Sequence, residues 1–333
     1  MDKRIIYIAY PCFVLSGTAV NFLLKAPALH NKLLGLAQVV FAAELNGLRL
    51  ILAGLVLLAV ALTWRVDLGL GRYLWRCALV GLLMMAVPQG LLFYALSRTA
   101  TANTAAFAEA TIPGIVLIYL CVGRWRLERT PLLCVAGALT ALMVFLYNEP
   151  TRGAGGTGDI VLVLFSAAVT AFGLVLSRIL PKPTAPGLQN KLKNSLSNNV
   201  YMICSSGVAT LAFVAAITGT FRMMTPASTA AAAARMPAAD AWPPLLALAL
   251  VGACLGWISL FLLLTEDMVL ACSAIIAIPI VTALVSAVGV GGGKPLTPPQ
   301  WPSAIVVVGA LSILLWIKLR KGSKPTLAEV SCA

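Results

Sequence analysis

The sequence predicts an all-α membrane protein with ten transmembrane helices in two inverted five-helix repeats. Three observations lead there. Of the 333 residues, 60 % are hydrophobic and only 11 % charged, with a mean hydropathy of +0.96. A soluble domain is about half apolar and about a quarter charged. Apolar stretches recur ten times, each close to the roughly 20 residues that carry a helix across a hydrocarbon core of about 30 Å. The last five stretches also repeat features of the first five in the same order. The composition excludes a soluble enzyme.

The stretches lie at 5–24, 38–63, 75–97, 102–123, 131–148, 158–179, 196–219, 243–264, 268–290 and 301–319. The first follows Met1, Asp2, Lys3 and Arg4 and resembles a secretory signal. The repeat requires it as a retained first helix. Short connectors with Gly, Pro or charge separate the stretches. "PTRGAGGTGD" (150–159) is the clearest break, which makes 1–150 the first repeat, 158–320 the second and 321–333 a cytoplasmic tail. "PKPTAPGLQNKLKNS" (181–195) reads as a polar loop, and "TPASTAAAAARMPAAD" (225–240) as an Ala-rich loop or short helix.

Loop charge sets the orientation, because basic residues concentrate in cytoplasmic loops. With the N-terminus inside, sixteen of the 24 Lys and Arg fall on the cytoplasmic side, seven on the other, and Arg49 within a span. Both termini are then cytoplasmic, in a plasma (inner) membrane. One inside loop, between the eighth and ninth stretches, has no base and instead carries Glu266 and Asp267. The same bias accounts for the net charge of +13. Basic runs interleaved with aromatics, as a nucleic-acid face requires, are absent from the sequence, so the expected large partner is the lipid bilayer.

No cofactor or metal is expected. The eight cysteines are scattered without a C-x-x-C pair, and His30 has no companion ligands. "GVGGGKP" (289–295) lacks the first glycine of a phosphate-binding loop and places Pro295 where Ser or Thr is needed. Any transport is therefore driven by a gradient and not by ATP.

The repeat rests on matched features. "FAEATIPGIV" (107–116) pairs with "SAIIAIPIV" (273–281), Pro113 on Pro279. "LLFYAL" (91–96) precedes the first and "SLFLLL" (259–264) the second, while "VAGAL" (135–139) and "VVGAL" (307–311) follow. Earlier in each half, one offset sets Lys25 on Arg178, Asn46 on Asn199 and Gly54 on Gly207. Five spans per half is an odd number, so the second half is inverted. Inverted repeats are a transporter design, with the binding site near the midplane between the halves.

These residues also resemble the EamA-like branch of the drug/metabolite transporter (DMT) superfamily. "GTAVNFLLKA" (17–26) is similar to the end of its first helix and "ELNGLRLILAGLVLL" (44–58) to its second. "ATIPGIVLIYL" (110–120) and "AIPIVTALVS" (277–286) resemble its proline-bearing fourth and ninth helices, and "GDIVLVLFSAAVTAFGLVLSRIL" (158–180) its sixth. The resemblance runs from about residue 5 to 320. It implies ten helices in two five-helix repeats, cytoplasmic termini, and export or exchange of small metabolites. The chain departs from the pattern at "VGRWRLERTP" (122–131), where Arg124 replaces the usual acid. It departs again at "CSAIIAIPI" (272–280), which lacks the lysine motif of nucleotide-sugar and triose-phosphate carriers.

Ionisable groups inside a span are expensive and are functional candidates by default. Three stand out: Glu44, Arg49 and Glu109. Glu44 and Arg49 are five residues apart, off the i,i+4 stripe, so Arg49 is expected to meet Glu109 across helices. In the functional reading Glu109 binds a cationic group or a coupling proton and Arg49 a substrate anion. In the plainer reading the two form a fixed ion pair. Asn21, Asn46, Gln89, Tyr94, Asn199 and Trp257 are further substrate-binding candidates; Asn103, Asn198, Tyr201 and Ser273 are weaker ones. Each could instead hydrogen-bond between helices. Pro113 and Pro279 are candidate hinges, and Gly252 with Gly256 a close-packing pair within the fold. The expected activity is secondary transport of a small polar metabolite by a monomer or homodimer. The alternatives are a multi-pass enzyme acting on lipid-linked substrates and a non-transporting membrane subunit.

Overall fold

The structure is a computed structural model that describes residues 3–23, 36–68, 74–99, 111–120, 129–147, 157–181, 187–224, 241–287 and 298–321. Every regular element among them is helical, as a bilayer demands when no water is available to satisfy backbone groups. The helices are α1 (Lys3–Leu23), α2 (Leu36–Thr63), α3 (Leu74–Gly81, continuing through Leu82–Ala86 and Val87–Thr99) and α4 (Thr111–Leu120). Next come α5 (Arg129–Tyr147), α6 (Thr157–Leu176, closed by a tight turn at Ser177–Ile179) and α7 (Leu188–Met224). Then follow α8 (Trp242–Ala247, Leu248–Gly256 and Trp257–Glu266), α9 (Met268–Ala287) and α10 (Gln300–Lys321).

Eight of the ten are long and apolar enough to cross a membrane; Thr111–Leu120 and Arg129–Val144 are shorter apolar segments. Their outer faces are greasy. Leu133, Ile305, Val161, Phe165 and Trp316 are all exposed, an arrangement that suits hydrocarbon and would aggregate in water. The chain is an integral, multi-pass membrane protein. One boundary differs from the sequence reading: the stretch 188–195, read as loop, is the first turns of α7. A helix can run past the apolar core into the interfacial region, so an apolar run marks the span and not the whole helix.

The packing pairs helices across the chain. α2 lies along α7, and α5 along α10. α1 packs on α8 while α3 packs on α6; α2 meets α8 while α7 meets α3. α9 is enclosed by α1, α5, α8 and α10, and it is buried without interruption from Met268 to Ile280.

At the α2–α7 crossing, glycine lets the backbones approach. A Cβ on Gly54 would lie 2.6 Å from Cys204 Sγ, and one on Gly207 would lie 2.9 Å from Ile51 Cδ1. The offset that sets Gly54 on Gly207 also sets Ile51 on Cys204. The two contacts are therefore the same contact made once from each side.

The third helix of each group of five also contains a π segment, Leu82–Ala86 in α3 and Leu248–Gly256 in α8. Such segments occupy well under about 1 % of residues in proteins and gather at functional places. In α3 the segment is followed by Pro88, which has no N–H to give the Met84 carbonyl one turn back. Asn46 Nδ2 on α2 reaches the same segment from outside, donating to Met85 O and Ala86 O at 3.2 Å each.

At one end of the bundle, two ion pairs close on the α8–α9 turn. Lys191 of α7 pairs with Glu266, and Lys318 of α10 pairs with Asp267. Asp267 also accepts the Val269 N–H at 2.7 Å, capping α9. The turn has no base of its own because α7 and α10 supply them.

Candidate functional site

A cavity of about 110 Å³ opens among α1, α2, α3, α4, α6, α8 and α9. At roughly 10–15 Å³ per water position it holds several waters or one small molecule. Both groups of five helices wall it. The polar lining comes from Ser16, Asn21, Arg49, Gln89, Ser166, Thr170 and Trp257, and the apolar lining includes Phe13, Val20, Leu92, Leu260, Ile275 and Ile278.

The walls fit closely because small residues face large ones. A Cβ on Gly252 would meet Val20 at 2.6 Å, and one on Gly256 would meet Ser16 Oγ at 3.1 Å, so α8 lies tight on α1. That is the close packing within the fold expected of the glycine pair. On α9, Pro279 denies the Ile275 carbonyl its usual i+4 donor, and Ile275 lines the cavity.

Arg49 is the charged group of the described lining. It is 2 % exposed. Its Nη2 donates to Asn46 Oδ1 at 2.9 Å, and its guanidinium lies 5.2 Å from the centre of the Phe93 ring, a cation–π distance. Nε has no hydrogen-bond partner. The ion pairs at the α8–α9 turn do not reach Arg49. Asn46 thus has two duties: one end of its amide holds the α3 π segment and the other holds Arg49.

The other hydroxyls of the lining are occupied. Ser166 Oγ donates to Pro88 O at 2.9 Å, Thr170 Oγ1 to Ser166 O at 3.0 Å and Ser16 Oγ to Phe13 O at 2.9 Å. Asn21 reaches across to Thr282 Oγ1 at 3.3 Å. By contrast, neither Gln89 nor the Trp257 indole makes a hydrogen bond to another described residue. Trp257 stacks at a tilt on Phe261, centroids 6.4 Å apart.

Of the residues singled out in the sequence, the cavity gathers Asn21, Arg49, Gln89 and Trp257. Asn46 stands behind Arg49. Glu44 is half-buried on α2 and outside the cavity lining. Tyr94 packs against the apolar cluster that contains Ala42, Leu45 and Phe93. Asn199 turns back on its own helix, donating to Ser195 O at 2.8 Å. Asn198 donates to Pro181 O at 3.1 Å and Tyr201 to Leu68 O, tying helix ends. Ser273 donates to Leu270 O at 2.7 Å. Pro279 sits inside α9 and Pro113 is buried near the start of the described part of α4. Glu109 and Asn103 lie outside the described residues. Ser166 and Thr170 of the lining were not singled out by the sequence reading; the only signal was a Ser and a Thr four apart on one apolar helix.

Comparison with known proteins follows the same lines. No protein-family model matches the chain. It is 26 % identical over 288 residues to a protein of Escherichia coli K12 named uncharacterized inner membrane transporter YedA, covering 85 % of each chain. The same figures hold for the proteins of that name in the O6:H1 and O157:H7 strains. A solved crystal structure of a protein superposes with a TM-score of 0.66, covering 97 % of this chain and 100 % of its own at 16 % identity. The chain thus shares the fold of a solved protein and is similar in sequence to a protein named as an inner membrane transporter.

Proposed function

We propose that this chain is a secondary transporter of the EamA-like branch of the DMT superfamily. In this reading it moves a small polar metabolite by alternating access between two inverted five-helix repeats. It resides in the inner membrane with both termini cytoplasmic. The observation that carries the reading is the cavity: both groups of five helices wall it, and a buried guanidinium stands in its lining. A charge in such a place is costly unless it serves a pathway.

Two further observations support it. The Gly54–Cys204 and Gly207–Ile51 contacts exchange under the repeat offset. The π segments fall in the third helix of each half. Glu109 is the candidate proton carrier, a role for a carboxylate in or near a span.

The test is counterflow in proteoliposomes loaded with a panel of small metabolites, with and without a pH gradient. Saturable exchange without ATP is the expected result. Absence of saturable exchange for every member would contradict the reading. If Glu109→Gln exchanges normally and with the wild-type pH dependence, proton coupling does not run through that residue.

A further inference from the structure

We infer that the cavity is built to receive one carboxylate: the cargo is a small organic monoanion with an apolar part, docked on Arg49. The inference rests on the transport reading for where cargo sits, but the chemistry follows from the lining itself. Arg49 is 2 % exposed, lines the cavity and has Nε without a partner. Its neighbours give it one neutral amide oxygen and one ring face. Neither neutralises it. A buried cation with no counterion is unfavourable, and an anion entering the cavity from outside the described lining would relieve it.

The donors agree with the charge. Gln89 offers an amide N–H and Trp257 an indole N–H, and neither is committed to another described residue. The hydroxyls of Ser16, Ser166 and Thr170 spend their protons on backbone carbonyls. No carboxylate occurs among the described lining residues. An arginine fork with two neutral donors matches the lone pairs of a carboxylate. One positive charge selects a monoanion over a phosphate dianion, whose second charge would stay uncompensated in the apolar surround. Phe13, Val20, Leu260 and Ile278 then take the apolar part of the molecule.

The probes are lactate, 2-oxoisovalerate, succinate and benzoate, each beside its uncharged amide, together with inorganic phosphate. Binding to the purified full-length protein in detergent is read by ligand-dependent melting and by Trp fluorescence. At least one monocarboxylate should stabilise the wild type while its amide and phosphate do not. Arg49→Lys keeps the charge and loses the fork, so its affinity should fall at least about 30-fold, as for truncating a buried charge pair. Arg49→Gln should bind none of the panel while melting cooperatively and remaining monodisperse. Three results would each overturn the inference: amides that bind as well as acids, Arg49→Gln binding acids like wild type, or no monocarboxylate bound. Counterflow separates the two ideas. Exchange of neutral solutes without acid binding keeps transport and removes the anion site. Acid binding without exchange does the reverse.

Discussion

α2 and α7 run side by side through the centre of the molecule and share a framework, yet they carry different chemistry. Each has an asparagine and, further on, a glycine at the shared crossing, Asn46 and Gly54 against Asn199 and Gly207. Between asparagine and glycine they part. α2 places Arg49 in the cavity lining, whereas the same offset on α7 gives Met202, fully buried in the core. The asparagines differ likewise. Asn46 bonds to two carbonyls of α3 and to Arg49, while Asn199 bonds within its own helix. The lesson is that glycine spacing governs how backbones meet, and one substituted position governs where charge goes. A repeated scaffold can therefore hold a one-sided site.

The comparison breaks most visibly at its charged position. Arg49→Gln should lower metabolite exchange by about 100-fold or more, the loss of a desolvated charge contact. Met202→Leu, a volume-conserving swap, should leave exchange within about 3-fold. Proteoliposome counterflow of both variants checks this.

Stability sharpens the contrast further, because the signs differ. α7 has its own interior-facing cation, Lys191, but that one is paired with Glu266. Replacing even a buried ion pair by well-packed apolar groups is often neutral or stabilising by about 1–4 kcal/mol, and Arg49 has no counterion among the described residues to lose. Arg49→Met should accordingly raise the unliganded melting temperature as it removes transport. Lys191→Met takes away a partner of Glu266, whose side chain is only 2 % exposed, and should lower stability by roughly 1–3 kcal/mol. Thermal unfolding in one detergent compares the two directly.

The glycines should behave alike where the charges do not. Gly54→Leu and Gly207→Leu each force a side chain into the α2–α7 crossing and should each cost about 1–3 kcal/mol. A large difference between them would show that the crossing is not reciprocal. The smallest effects belong to the asparagines. Asn46→Ala leaves Met85 and Ala86 carbonyls and the Arg49 guanidinium without their partner, at about 1–2 kcal/mol. Asn199→Ala removes only bonds within α7 and should cost about 0.6 kcal/mol or less.

Much of this was legible in the sequence. Apolar runs marked all the helices because hydrocarbon leaves no other choice, and the charge at Arg49 stood out for the same reason. Asn21, Gln89 and Trp257 were visible as polar groups in apolar runs, and the structure brings them together at the cavity. The start of α7 at Leu188 was not legible, since its first turns are polar and end outside the apolar run. The π segments "LLMMA" and "LALVGACLG" have no composition of their own that would announce them. Nor could spacing reveal that Asn46 reaches out while Asn199 folds back. That choice depends on which carbonyls a neighbouring helix presents.

The central claim is that Arg49 holds the cargo between the two halves. Monocarboxylate counterflow in proteoliposomes tests it most directly, with wild type, Arg49→Lys and Arg49→Gln reconstituted at equal density. The account predicts saturable exchange in wild type, weakened exchange in Arg49→Lys and none in Arg49→Gln. Equal exchange in wild type and Arg49→Gln would contradict it.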